Sequence, residues 1–179
     1  MKDARDPIAR LKDRATQSGW GVIIDETMAF TQPKLATLFD LWRAKAEASQ
    51  SLPRREDLDI RLLKPFVRHV AVMERVGAVA GVSRYRIRLQ GSLLVQYYGD
   101  KTGQLMDEAF PPDLAERWAG VNDALLEARQ PVRVVGAYKH EKLDHMMGEG
   151  LLLPLGNGEA APVSVLSVTY YTPRYNSMG

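Results

Sequence analysis

Apolar side chains recur at helical spacing in the amino-terminal part of the chain. Ile8, Leu11 and Ala15 share one face of a short predicted helix, Pro7–Gln17. A second helix is predicted from Pro33, because proline suits a first helical turn and an apolar stripe follows it: Leu35, Leu38, Phe39, Trp42 and Ala46. The pattern therefore predicts two amphipathic helices before the first strand.

The pattern changes after the proline-containing connector SLPRREDLDIRLLKPF. The runs HVAVMERV and SRYRIRLQG are separated by GAVAG, which predicts a hairpin. In the second run Tyr85, Ile87 and Leu89 alternate with polar residues, as is typical of an antiparallel strand with one buried face. On its other face three arginines are predicted to form exposed salt bridges with the amino-terminal helices, or else to bind an anion: Arg84, Arg86 and Arg88.

The second half of the chain predicts one long helix and three further strands. Ser92 is suited to begin a short helix that Gly99 ends. The segment PPDLAERWAGVNDALLEARQP has apolar residues at helical spacing: Leu114, Trp118, Val121, Leu125 and Ala128. Strand-like runs follow in PVRVVGAYKH, MMGEGLLLPL and APVSVLSVTYY, and GNGE predicts a hairpin turn between the last two.

Composition narrows the classes of function. The 179 residues are 45% hydrophobic and 26% charged, which is ordinary for a globular domain. The 24 basic and 22 acidic side chains are interleaved, so we predict no nucleic-acid footprint. There is no cysteine, which excludes disulfides and thiolate chemistry. No stretch approaches the roughly 18 apolar residues of a membrane helix, and no signal peptide is recognisable, so we expect a cytoplasmic protein.

The stretch YYGDKTGQLMDEAF resembles phosphate-binding motifs over a few residues only. Its Asp100–Gly103 segment is similar to the phosphorylated loop of P-type ATPases, and Lys101 with Thr102 is similar to the end of a P-loop. A P-loop needs glycine before the lysine, whereas this chain has Asp100. We therefore interpret the stretch as a turn in which Asp100 and Thr102 bond local amides and Gly103 permits the reversal.

Metal binding and nucleophilic catalysis have little support in the sequence. One helix would turn His140 and His145 apart, and one strand would place them on opposite faces. A loop could gather them with Asp144 and Glu149, but this spacing is not typical of a metal site, and we predict none. There is no GxSxG motif, and Ser92 has no identifiable catalytic partners. We predict no catalytic residue.

An ordered set of motifs resembles the bacterial family of short PAS-like proteins. Where that family has a tryptophan-containing helix and LPxRxDxDP, this chain has LWRAKAEASQSLPRREDLDI. Where it has YRLxGT and GxDLTGxxLDE, this chain has YRIRLQGS and YYGDKTGQLMDE, and RQPVR and EGLLLPL match its later GxPV and LLLPL segments. The resemblance covers about Leu35–Tyr171. Departures are Ser92 for threonine, Ile60 for proline, and Ala128–Arg129 for the glycine before the PV strand.

The resemblance implies an α+β fold, with a PAS-like five-stranded antiparallel sheet, helices over one face and an amino-terminal helical extension. The predicted boundaries are an arm at 1–32, a helix and connector at 33–65, the PAS-like domain at 66–173 and a tail at 174–179. Light-sensing flavin PAS domains need a cysteine, and haem-sensing ones commonly use a histidine on the long helix. This chain has no cysteine, and Asp113–Arg129 contains no histidine, so no cofactor is predicted.

Two candidate sites follow from this interpretation. A ligand pocket is predicted on the inner side of the sheet, although the same side chains could fill a solid core. Its predicted lining is Tyr85, Ile87, Leu89, Leu94, Tyr98, Trp118, Val121 and Val134. A helix outside the sheet must bury its apolar face, so the predicted dimer interface is the stripe Leu35, Phe39 and Trp42.

These features together predict a non-catalytic cytoplasmic sensory or adaptor module. We expect it to act through a signalling partner or a homodimer, with a small molecule as an optional ligand and with neither nucleic acid nor membrane as a partner. An alternative is a small α+β enzyme with a cone-shaped sheet pocket, in which His140 or Asp144 is the base.

Overall fold

The computed structural model describes residues 6–137, 142–158 and 162–174 of the chain. The helices are α1 (Pro7–Gln17), α2 (Pro33–Ser49), α3 (Ile60–Leu63), α4 (Ser92–Tyr98), α5 (Met106–Ala109) and α6 (Pro112–Ala128). The strands are β1 (Val22–Asp25), β2 (Val70–Val79), β3 (Val82–Gln90), β4 (Val132–Ala137), β5 (Met146–Leu155) and β6 (Ser164–Pro173). Within these ranges no helix combines the length and apolar content that crossing a bilayer requires.

The strands form one antiparallel sheet in the order β1-β4-β5-β6-β2-β3. The predicted α+β class is confirmed, but the predicted count of five strands is wrong, because β1 adds a sixth at one edge. Strand β1 pairs with β4, and it approaches closely because Gly136 lacks a side chain. A Cβ at Gly136 would lie 2.5 Å from the Gly21 carbonyl oxygen. Residues of the predicted arm therefore complete the sheet.

The two faces of the sheet carry separate apolar clusters. Along β5, Leu152 belongs to one cluster with Val132, whereas Leu151 and Leu153 belong to the other. Successive side chains of a strand point to opposite faces, so the near-continuous apolar run of β5 reflects burial on both sides. We call the face that carries Leu152 the inner face and the face that carries Leu151 the outer face.

Helix α6 covers the inner face, and α1 packs against α6. The apolar stripe of α1 is buried in the inner cluster, as its helical spacing predicted: Ile8, Leu11 and Ala15. Two ion pairs join the helices, Arg10–Glu127 at 2.9 Å and Arg14–Glu116 at 2.5 Å. Both pairs are partly exposed and contribute little, so burial of the apolar stripe holds α1 in place.

Helix α2 covers the outer face, and this corrects the premise of the predicted dimer interface. Within a single chain Leu35 is 0% exposed and Trp42 is 7% exposed. The Trp42 indole N–H donates a hydrogen bond to the Pro154 carbonyl oxygen at 3.1 Å, and Phe39 is partly buried against the same cluster. The sheet of the same chain already covers Leu35 and Trp42, so these side chains are not available to a second copy. Dimerisation itself stays a prediction.

A buried ion-pair network fixes the start of α2 on the outer face. The Arg133 guanidinium pairs with Glu149 at 2.6 Å and with Asp25 at 3.1 Å. The Glu149 carboxylate also accepts hydrogen bonds from the backbone N–H groups of Thr31 and Gln32, at 2.8 and 2.9 Å. Burial opposes ionisation of Glu149, but the bonds from Thr31 and Arg133 outweigh it and hold the pKa of Glu149 below its usual value. Glu149 thus anchors α2, a role that its sequence context did not indicate.

The loop between α4 and α5 confirms the turn interpretation of YYGDKTG. Asp100 Oδ1 accepts a hydrogen bond from the Thr102 N–H at 3.0 Å, and Gly103 has a φ of 86°. The loop then runs beside β3, where the Ile87 N–H donates to the Gln104 carbonyl oxygen at 3.0 Å and the Gly103 N–H donates to the Ile87 carbonyl oxygen at 2.8 Å. It therefore covers part of an edge strand.

Two of the three β3 arginines form salt bridges, but with different partners from those predicted, and Arg86 donates a hydrogen bond to the Gly103 carbonyl oxygen at 2.7 Å. Arg84 pairs with Asp107 at 2.7 Å and with Glu108 at 2.8 Å, both in α5. Arg88 pairs with Glu74 of the neighbouring strand. The predicted partners in the amino-terminal helices were wrong, because α5 lies closer to this edge of the sheet.

Candidate functional site

A cavity of about 80 Å³ lies between the inner face and helices α4, α5 and α6. Its sheet wall is formed by Ala71, Met73, Ile87, Leu152 and Val165. Its helical wall is formed by Leu94, Tyr98, Met106, Phe110, Leu114 and Trp118. The lining is completed by Gln90, Asn122, Ser167, Thr169 and Tyr171. A mostly apolar lining with a few polar groups is usual for small-molecule sites.

The periods of the helix and the strand create these walls. Leu114, Trp118 and Asn122 follow one another at i+4 spacing, so they form one stripe of α6. In β6 the cavity-lining residues occupy alternate positions, as a strand requires: Val165, Ser167, Thr169 and Tyr171. Regular elements therefore position the lining side chains.

A β-bulge in β3 changes which side chains reach the cavity. The register shifts between the pairs Val72–Leu89 and Met73–Ile87, so no residue of β2 lies directly opposite Arg88 in the strand register. Beyond the bulge, Leu89 packs against the outer cluster, whereas Gln90 lines the cavity. Simple alternation placed Leu89 beside Ile87, and the extra residue reverses that assignment.

The structure places four of the predicted lining residues at the cavity and four elsewhere. The cavity is lined by Ile87, Leu94, Tyr98 and Trp118. Val121 and Val134 are buried in the inner cluster without lining the cavity, Leu89 lies on the outer face, and Tyr85 belongs to the packed core. A solid core therefore surrounds the cavity, and both alternatives drawn from the sequence occur side by side.

Tyr85 connects the sheet to α6. Its hydroxyl donates a hydrogen bond to Asp123 Oδ1 at 2.6 Å, and Asp123 also pairs with Arg75 at 3.5 Å. Burial and the neighbouring Asp123 carboxylate hold the pKa of Tyr85 well above its usual range. Tyr85 therefore stays protonated and serves as a structural donor.

Asn122 is a buried polar residue that sequence reasoning missed. It is 2% exposed and faces the cavity from α6. In the part of the chain that the structure describes, its side-chain amide makes no hydrogen bond, and its polar atoms stay accessible from the cavity. Leaving a buried amide unpaired costs about 1–3 kcal/mol, and buried polar groups almost always have a protein or water partner. The sequence did contain a signal that Asn122 is buried: it lies four residues after Trp118, on the apolar stripe of α6.

Three other polar side chains without an aromatic ring line the cavity. Thr169 is 8% exposed, and the Thr169 and Ser167 hydroxyls make no hydrogen bond to another described residue. Gly150 makes room for the Thr169 hydroxyl, since a Cβ at Gly150 would lie 2.9 Å from Thr169 Oγ1. The Gln90 side-chain oxygen accepts a hydrogen bond from the Lys101 N–H at 2.8 Å. The cavity thus has hydrogen-bonding capacity that the protein itself does not use.

An aromatic wall separates the cavity from an outside groove of about 500 Å³. Tyr98, Phe110 and Leu114 line both spaces, and the rings of Tyr98 and Phe110 pack edge to face with centroids 5.8 Å apart. Burial raises the pKa of Tyr98, and a hydrogen bond with Tyr171 opposes that rise. A ligand that enters from the groove has to pass this wall.

The residues of the alternative enzyme interpretation do not meet at the cavity. Asp144 has a side chain that is 75% exposed and lies 3.2 Å from the His145 ring, and it does not line the cavity. His140 lies outside the described residues. Within residues 6–137, 142–158 and 162–174, no three or more His, Cys, Asp or Glu side chains are grouped to hold a metal ion.

The chain was compared with curated proteins and with solved structures. No curated protein matches it. Two solved structures are similar to part of it. An RNA-binding light-oxygen-voltage receptor shares 12% identity over 64% of this chain and 33% of its own, with a TM-score of 0.40. A variant of RsLOV shares 18% identity over 63% of this chain and 66% of its own, with a TM-score of 0.39.

The family itself is identified by sequence. The PAS domain family model matches residues 30–169. This range contains α2, strands β2 to β5, the first part of β6, and every residue lining the cavity except Tyr171. Because this range is well over half of the chain, the chain belongs to the PAS domain family.

Proposed function

We propose that the chain is a non-catalytic cytoplasmic sensory or adaptor module that binds a small molecule in the inner-face cavity and reports its presence to a partner protein or a second copy. The observation that carries the proposal is the cavity with an unpaired buried amide, that of Asn122. Most buried polar groups have a protein or water partner. A site that waits for a ligand leaves such an amide free.

Strand β6 offers a route from the cavity to the opposite face. Ser167 and Thr169 line the cavity, whereas Leu166 and Val168 lie in the outer cluster with Leu35 of α2. Packed side chains do not deform independently, so a ligand that moves β6 also changes the surface on which α2 rests. Helix α2 is therefore the proposed output element.

The chemistry of the lining supports binding without catalysis. Among the described residues, the cavity has no histidine, carboxylate or lysine in its lining. These groups most often transfer protons in enzymes. Asp144, the described candidate base, is exposed at the surface. The proposed role is therefore recognition, with the response passed on by α2.

Native mass spectrometry of the freshly purified chain tests the proposal. We expect the wild-type protein to carry a small-molecule adduct. Ala71→Leu should lose it, because Ala71 lines the cavity and the larger side chain fills the space. Filling an existing void should leave the folded state intact.

Ala124→Leu is the matched control. Ala124 is buried in the inner cluster but does not line the cavity, so a larger side chain there should lower stability by about 1–3 kcal/mol through overpacking and leave the adduct in place. If the wild-type protein carries no adduct and binds no member of a panel of small molecules, the result would count against the proposed sensor.

A further inference from the structure

The polar groups of the cavity indicate the chemistry of its ligand, an inference that rests on the proposed sensory function. We infer that the cavity selects an uncharged molecule with a small apolar body and one polar end that both donates and accepts hydrogen bonds, of which a primary carboxamide is the simplest example. Asn122 is the residue that recognises this polar end.

The Asn122 side chain offers a ligand both a hydrogen-bond donor and a hydrogen-bond acceptor. Its side-chain oxygen is an acceptor and its NH₂ group is a donor, and in the described part of the chain neither has a partner. A ligand that only accepts, or only donates, leaves one half of this amide unsatisfied inside the protein. A group with both functions satisfies the amide in one paired contact.

The sheet wall of the cavity carries hydroxyls that can either donate or accept a hydrogen bond. Thr169 and Ser167 both line the cavity from β6 and lack protein hydrogen-bond partners among the described residues. A hydroxyl is both a donor and an acceptor. The sheet therefore offers adaptable bonds, while Asn122 offers the fixed planar pair.

The described lining of the cavity carries no charged side chain. None of the described residues that line the cavity is Asp, Glu, Lys, Arg or His. A carboxylate or an ammonium group buried there has no opposite charge to pair with, and burial of an unpaired ion costs several kcal/mol. The cavity therefore discriminates against a charged molecule of the same shape.

The volume of the cavity limits the size of the ligand. The cavity measures about 80 Å³, and a cavity measured in this way needs roughly 10–15 Å³ to hold one water. The space therefore suits a compact molecule, and the apolar walls of Ile87, Leu94 and Trp118 contact its body. Ordered waters could also satisfy Asn122, and the experiment below separates these occupants.

A matched pair of probes tests the inference on the full chain. Isobutyramide and isobutyrate have the same shape and number of non-hydrogen atoms, but only the second is charged at neutral pH. Each is titrated into wild-type protein while the side-chain amide signals of Asn122 are followed by NMR. We expect isobutyramide to shift these signals and to bind at least about tenfold more tightly than isobutyrate.

Two variants show whether Asn122 is responsible. Asn122→Leu removes both hydrogen-bonding functions at similar size, and should weaken isobutyramide binding at least about fivefold without lowering the melting temperature, because it removes an unpaired buried polar group. Asn157→Leu, in the loop between β5 and β6 and away from the cavity lining, is the matched control and should bind isobutyramide as the wild type does.

Three results would overturn the inference. Equal or tighter binding of isobutyrate would show that charge is accepted, and the sensor proposal would then stand with a different ligand class. Binding of isobutyramide that persists in Asn122→Leu would remove Asn122 from recognition. The third result is that neither probe binds, while the wild type carries an adduct that Ala71→Leu lacks. Waters alone would then satisfy Asn122, and the natural ligand would have other chemistry.

Discussion

The inner and outer faces of the sheet are covered in different ways. On the outer face α2 packs its apolar stripe directly on β5 and β6, and the buried charges of Arg133 and Glu149 pair with each other. On the inner face α4, α5 and α6 leave a cavity between themselves and the sheet, and Asn122 faces it without a hydrogen bond to another described residue. The buried Tyr170 hydroxyl of the outer cluster also lacks a partner among the described residues, but it does not line the cavity. The same sheet therefore supports one closed layer and one open layer.

The difference separates the roles of the two layers. Close packing and paired charges contribute stability and fix a single arrangement. A cavity forfeits contacts along its walls, and this loss is tolerated where a ligand restores them. We infer that the outer layer holds the fold together while the inner layer binds, and that β6 connects them because its two faces take part in both.

Truncation of one leucine on each face gives the largest expected effect. Leu38 is buried in the outer cluster, so Leu38→Ala should lower the free energy of unfolding by about 2–5 kcal/mol. Leu94 lines the cavity and already lacks contacts on that side, so Leu94→Ala should cost less, at the lower end of the same range, about 2 kcal/mol. Urea denaturation measures both, and equal losses would contradict the contrast between the faces.

Removal of the Glu149 charge should have the next largest effect. Glu149→Gln keeps an acceptor for Thr31 but weakens the pairing with Arg133, and we expect a loss of about 2–3 kcal/mol in the free energy of unfolding at neutral pH. Glu47→Gln is the matched control, because Glu47 pairs with Arg43 at 4.0 Å on an exposed helix face and should change stability by less than about 0.5 kcal/mol. Similar losses in both variants would show that the network does not anchor α2.

The same network predicts how stability depends on pH. Hydrogen bonds lower the pKa of Glu149 below 4.5 and that of Asp25 below 3.8, against the opposing effect of burial. A carboxyl group whose pKa is lower in the folded state contributes its full stability above the unfolded value and loses it as pH falls through the folded value. The wild type should therefore lose stability below about pH 4.5, and Glu149→Gln should lose less over that range. Identical pH profiles from denaturant titrations would contradict this assignment.

The smallest expected effect is at the loop between α4 and α5, which belongs to neither layer. Asp100→Ala removes the hydrogen bond to the Thr102 N–H and should lower the melting temperature slightly, because the site is open to solvent. The change should have no effect on ATP hydrolysis. A measurable ATPase activity that disappears in Asp100→Ala would restore the phosphorylation-site interpretation.

The regular elements of both layers could be predicted because their periods are strong. The stripe of α6 and the alternation of β3 appear in the sequence itself. Strand β1 could not be predicted in this way, because VIID is short and its partner β4 lies more than a hundred residues away, at Arg133–Gly136. The reversal of Leu89 depends on a one-residue bulge at Arg88, which no alternation pattern contains.

The candidate site was predictable only in part, because local patterns do not say which apolar residues pack and which leave space. Ile87 and Trp118 line the cavity, whereas Val121 is packed, although all three lie on apolar stripes. The position of α2 had a usable signal: the run LLLPL in β5 is apolar at successive positions, which indicates a strand buried on both faces. That run required a cover on the outer face, and the apolar stripe of α2 provides it.

The central claim is that the described residues leave a ligand-sized space on the inner face of the sheet and pack closely on the outer face, and xenon binding tests it most directly. Xenon enters apolar cavities of folded proteins, and methyl NMR spectra of the ligand-free chain under xenon pressure report where it binds. We predict shifts for Ile87, Leu94 and Leu114 of the inner face and none for Leu35, Leu38 and Leu166 of the outer face. Shifts confined to the outer face, or the absence of shifts on both, would contradict the account.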